Sequence, residues 1–195
     1  MFITLKRRYS NKTTSITTTG NWVAPEGYYL IKVEAWGGGE SGYQGGTGGS
    51  YARLNSYSVT PGNSYFISVG RGGISSDLSN QTQPSGSYFV TQSLLYAAKG
   101  SETSIGDVTY SGGSKGVDVL YPGGGGSAFE NANGGNGSGS IGGIGKGNGG
   151  RGGPDFLGGK EGLIPGGGGG AGPQQTGLSY GGSGGDGLVL ITKLN

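Results

Sequence analysis

The sequence predicts an all-β protein: an antiparallel β-sandwich carrying an inserted bundle of polyglycine II helices, with essentially no α-helix. Three observations carry that prediction. Short runs alternate with a period of two, as Tyr29, Ile31, Val33 and Ala35 do on one face against Leu30, Lys32, Glu34 and Trp36 on the other. No stretch has a convincing helical period. Nearly half of residues 123–187 are glycine, and the glycines keep step. Gly139, Gly142 and Gly145 share one three-residue frame, Gly147, Gly150 and Gly153 another, and Gly166, Gly169 and Gly172 a third.

Three residues per turn is the period of the extended left-handed helix, which rises about 3.1 Å per residue and has no internal hydrogen bonds. Such a segment must be solvated or borrow partners. A glycine at every third position leaves one edge bare, so neighbouring backbones can approach and bond to each other. The expectation is a bundle of short glycine helices anchored at its ends by a rigid platform. By composition alone such a tract is a flexible linker, since ordering each residue costs about 1–2 kcal/mol. Collagen is excluded because the frame slips and prolines are few.

In chain order, residues 2–8 alternate as a strand would, and 13–19 form a β-branched run around Ile16. Pro25-Glu26-Gly27 is a turn, and 29–36 is the strand already described. After a first glycine tract at 37–49, residues 51–59 and 64–69 read as a hairpin about Thr60-Pro61-Gly62, where Pro and then Gly suit a type II turn. Gly70-Arg71-Gly72-Gly73 ends the second strand. Residues 74–87 are turn-rich, 88–98 read as a strand, and 103–110 and 117–120 as short strands. Residues 187–192 form the clearest buried strand. Residues 1–122 are therefore the sandwich body, 123–187 the bundle, and 188–195 the strand that returns to close the sheet. Ile141 and Ile144 are expected to pack between bundle and sheet.

Composition bounds the function. Of 195 residues, 31% are hydrophobic and 12% charged, so the conventional core is small, and much of its apolar surface comes from Tyr and Phe. A net charge of +2, with Lys6-Arg7-Arg8 as the one basic cluster, does not suggest nucleic acid. There is no cysteine, hence no disulfide and no thiolate ligand. The absence of histidine removes the commonest general base, the usual triads and most metal sites. No obvious carboxylate pair in the sequence supports glycosidase work. Gly147-x-Gly149-x-x-Gly152 matches the dinucleotide fingerprint only formally, with no strand–helix unit around it. The expectation is a non-enzyme with no catalytic residue, metal or cofactor. The N-terminus lacks a signal-peptide pattern, and no apolar run approaches the ~20 residues of a membrane span.

One order of motifs is specific. It runs Gly20-x-Trp22-x-x-Pro25-x-Gly27, then Trp36-Gly37-Gly38-Gly39, Thr60-Pro61-Gly62 and Ile67-x-Val69-Gly70-x-Gly72-Gly73. Long glycine runs follow, ending in Gly185-x-Gly187-Leu188-Val189-Leu190-Ile191. Over roughly residues 13–195 this resembles the glycine-rich domain at the ends of bacteriophage tail fibres. A similar domain occurs in the extracellular part of anaplastic lymphoma kinase-type receptors. The resemblance implies a virion attachment protein, made in a host cytoplasm, whose loops between glycine helices contact a bacterial surface protein or glycan. It also implies other fibre subunits as partners, or a homo-oligomer such as a trimer. The corresponding loops are 127–133, 154–165 and 173–180, with 74–85 as a further candidate. They carry Phe129, Glu130, Asp155, Phe156, Leu157, Lys160, Glu161, Leu163, Ile164 and Tyr180 as large side chains amid glycine. Aromatic residues on fixed loops bring contact area at low entropic cost. The same residues could instead cap the bundle. A structural virion subunit and an ice-binding or matrix protein are the alternative functions.

Overall fold

The computed structural model describes residues 12–42, 44–74, 82–100, 102–117, 119–150, 152–153, 158–175, 178–179 and 181–194. Two antiparallel sheets face each other, and no described residue is helical. The first has the order β1 (Thr13–Ile16), β11 (Leu188–Leu194), β3 (Leu30–Trp36), β4 (Tyr51–Ser58), β8 (Val108–Tyr110). The second has the order β2 (Gly20–Val23), β5 (Ser64–Ser68), β6 (Ser87–Phe89), β7 (Tyr96–Ala97). A separate pair joins β9 (Gln174–Gln175) to β10 (Leu178–Ser179).

The alternation read from β3 sets the core. Ile31, Val33 and Ala35 are fully buried, and with Val189 and Ile191 of β11 they meet Ile67, Phe89, Leu95 and Ala97. Each large aliphatic side chain so buried contributes about 1.5–3 kcal/mol. Tyr57 stands edge-on to Phe89 at 5.3 Å, and Tyr65 stacks on Phe89 at 5.9 Å. Tyr29 does not share this face; it precedes the strand and is exposed, because the turn that closes with Tyr28 N–H on Pro25 O delays the strand to Leu30. As the sequence implies, the chain leaves this sheet, after β8, and returns to it at Leu188 through glycine-rich sequence, Leu188 pairing with Trp36.

Four strand assignments change. The turn at Thr60-Pro61-Gly62 is present, with Asn63 N–H on Thr60 O at 3.1 Å and Gly62 at φ +84°. It joins no hairpin: β4 is flanked on both edges by β3 and β8, so β5 crosses to the opposite sheet. Residues 88–98 are two short strands, because the chain reverses after Val90, at φ 61°, and brings Tyr96 opposite Tyr88. Of 103–110, only Val108–Tyr110 is strand, with an isolated bridge from Ile105 to Tyr96. The described part of 117–120 forms no strand. The strand expected over 2–8 lies outside the described residues.

The glycine segments bond to one another through their backbones. In 123–128, Gly123 and Gly126 donate to Gly139 and Gly135, Gly124 and Ser127 to Gly150 and Gly147, and Gly125 and Ala128 to Gly46 and Gly49, all at 2.8–3.0 Å. Within this segment, N–H groups three residues apart thus point to the same neighbour. The carbonyls repeat the scheme: Gly123 and Gly126 accept from Gly116 and Gly113, and Pro122 and Gly125 from Ala171 and Gly168. Segment 166–171 is surrounded in the same way, Gly167 and Gly170 donating to Leu163 and Lys160 while Gly169 and Gly166 accept from Gly46 and Gly49. The first glycine tract and 111–116 therefore belong to the same array as 123–187. Side chains are excluded sterically, since a Cβ built on Gly125 would collide with the Gly113 carbonyl. At the margins of the array Ser127, Ala128 and Ala171 take up buried positions.

Candidate binding site at the far end of the glycine array

The hydrogen-bond registers give the array two ends. At the sandwich end, Gly37 N–H reaches Ser50 O, Gly49 N–H reaches Gly166 O and Ala128 N–H reaches Gly49 O. At the far end, Gly116 donates to Gly123, Gly123 to Gly139, Gly153 to Ala171 and Ala171 to Pro122. The chain reverses between Gly116 and Gly123 and around Ser140 at that far end, where Gly153 and Ala171 also lie.

The far end carries apolar side chains in water. Val117 is 68% and Leu120 81% exposed. Gln44, Lys115, Val117, Leu120, Tyr121 and Pro122 help to line a cleft of about 560 Å³ there. Ile141 and Ile144, expected between bundle and sheet, are both exposed, Ile141 at this same end and Ile144 on the array's flank. Their backbones are the bonded parts, Ile144 O accepting from Gly135 N–H, and the close rod spacing leaves no interior room for an isoleucine.

The sequence-predicted residues are dispersed. Phe129 and Glu130 lie at the sandwich end, where Phe129 N–H closes a reversal on Ala132 O. The Glu130 carboxylate is paired with Lys146, whose ammonium also lies 5.8 Å from the Trp36 ring centre. Burial by itself raises the Glu130 pKa; the Lys146 hydrogen bond and the nearby Lys146 and Lys32 charges outweigh it, and the carboxyl titrates below its usual value. On the outer face of β3 and β4, the Tyr51 hydroxyl donates to Glu34 Oε1 at 2.8 Å and Lys32 holds the other oxygen at 2.7 Å. Burial, and then Glu34, push the Tyr51 phenol up. This cluster ties loop 128–133 to the sheet, which is the capping role.

Lys160 and Glu161 are exposed on the flank of segment 158–163, with Leu163 and Ile164 exposed at its sandwich end. Asp155, Phe156, Leu157 and Tyr180 lie outside the described residues. Sequence reasoning missed Val117, Val119 and Leu120, whose β-branched and apolar character suggested a strand. The signal that could have found them is position: they sit between Gly116 and the run at 123–126, as the other inter-rod loops do.

Among the described residues no group of three His, Cys, Asp or Glu side chains could hold a metal ion, and no helix is long and apolar enough to cross a membrane. No protein-family model matches this chain, and no curated protein matches it.

Proposed function

We propose that this chain is a non-enzymatic attachment protein at the tip of a virion fibre or spike, its glycine segments forming polyglycine II helices that hold receptor-binding loops. The observation that supports this reading is that the chain reverses between Gly116 and Gly123 at the end remote from the sandwich and leaves Val117 and Leu120 exposed there. Rods bonded through their backbones make a stiff support, and large side chains at the rod ends gain contact area without ordering a loop first. The partner is a bacterial surface protein or glycan, and the sandwich is left to join neighbouring fibre subunits.

The test is cell adhesion. Labelled protein is expected to decorate the host bacterium, and replacing residues 117–121 by a Gly/Ser loop of equal length, or making Phe156→Ala or Tyr180→Ala, should abolish decoration with the melting temperature retained. Normal adhesion by all of these variants would remove the tip assignment. A purified protein that decorates no host cell would instead favour a purely structural subunit.

A further inference from the structure

We infer that a polar groove along the flank of the molecule is a second binding site, and that its ligand is an extended, neutral oligosaccharide. Three adjoining depressions, of about 180, 320 and 600 Å³, share their walls. Thr18 and Thr19 line both the first and the second; Arg71 and Asp186 line both the second and the third. One channel therefore starts at Trp22, passes the threonines between β1 and β2, crosses Arg71 and Asp186, and ends on the glycine array at Glu161. Its widest part lies within the roughly 300–1,000 Å³ of small-ligand clefts.

The groups along it are poised for hydroxyls. Asp186 uses Oδ1 to accept Gly72 N–H at 2.8 Å, which fixes the carboxylate at the middle of the channel and leaves its second oxygen available. Among the described residues, the Arg71 guanidinium and the Glu161 carboxylate have no hydrogen-bond or ion-pair partner, although both line the same 600 Å³ depression. Thr17 and Thr18 are exposed. A line of mixed donors and acceptors, with a planar fork of N–H groups between two carboxylates, matches a chain of sugar hydroxyls, because each hydroxyl both donates and accepts. A polyanion would meet Asp186 and Glu161, a polycation would meet Arg71, and an apolar peptide would leave all three unsatisfied. Trp22, half-buried at one end, offers a ring against which a pyranose can lie.

The groove is separate from the far-end loops and does not depend on the attachment reading. Trp36 is fully buried, so a ligand-dependent change in tryptophan fluorescence reports on Trp22. The experiment titrates the whole protein with maltohexaose, cellohexaose, laminarihexaose and mannohexaose, alongside a heparin-derived hexasaccharide and a Gly-Pro repeat peptide. At least one neutral hexasaccharide should give a saturable change. Arg71→Ala and Glu161→Gln, both at exposed positions, should weaken it by roughly tenfold or more at unchanged melting temperature. Exchange of 117–121 should leave it intact, which separates this result from a failure of the tip assignment. The proposal is overturned if no neutral hexasaccharide saturates, if both variants bind as the parent does, or if the anionic sugar or the peptide takes the site instead.

Discussion

The indole N–H of Trp36 donates to the backbone carbonyl of Ala128 at 2.9 Å, joining the last residue of β3 to the last residue of a central glycine rod. Trp36 is wholly buried, packs on Tyr51 at 4.9 Å and ends the strand on which the sheet is built. It is the bolt between two parts with different chemistry, a side-chain core and a backbone array.

Trp36→Phe should therefore loosen both parts together. Losing the donor leaves the Ala128 carbonyl unsatisfied and opens space beside Tyr51, which together cost about 2–4 kcal/mol. Denaturant unfolding checks the size, and the transition should stay single. A separate low-concentration transition of the glycine array would instead mean that the array opens by itself.

Glycine substitutions should split into two groups according to what surrounds them. Gly125→Ala drives a methyl into the Gly113 carbonyl and should destabilise the protein by about 1–3 kcal/mol or more. Gly20→Ala meets nothing within 4 Å on edge strand β2 and should stabilise by about 0.4–1 kcal/mol through the unfolded chain. Melting temperatures of the two variants decide this.

Stability should fall at both extremes of pH, for opposite reasons. Glu130 has a lowered pKa in the folded state, so its contribution is complete above the ordinary glutamate value and disappears as pH falls through the folded one. Tyr51 has a raised pKa, so its contribution is complete below the ordinary tyrosine value of about 10 and declines as pH rises past it. Glu130→Gln should flatten the acid limb only. Urea midpoints between acid and alkaline pH measure both limbs.

Val117→Ser with Leu120→Ser should reduce host-cell decoration while moving stability by no more than about 0.5 kcal/mol, because both side chains face water and leave no cavity. A fluorescence count of decorated cells, paired with a thermal melt, separates lost contact from lost fold.

What could be read before the structure was whatever depended on local period. β3 follows from alternation, β11 from its apolar run, and the turns at Gly27 and Gly62 from Pro and Gly placement. What failed depended on neighbours distant in sequence. Residues 51–69 look like a hairpin until β8 and β3 are seen to occupy both edges of β4. Ile141 and Ile144 look like core until the rods prove too tightly spaced to admit them. For the candidate site, Phe129 and Glu130 carry the right chemistry for contact but are engaged with the sandwich, whereas Val117 and Leu120 were disguised as strand.

The position of β11 has a further consequence, for how the molecule is made. It lies between β1 and β3 in the first sheet, yet holds Leu188–Leu194, far along the sequence from both of them. A ribosome must deliver the residues as far as Leu194 before that sheet can zip shut, and such distant pairings nucleate slowly. Nascent chains truncated before Leu188 should stay protease-sensitive throughout, and resistance should appear in one late step once Leu188–Leu194 is present.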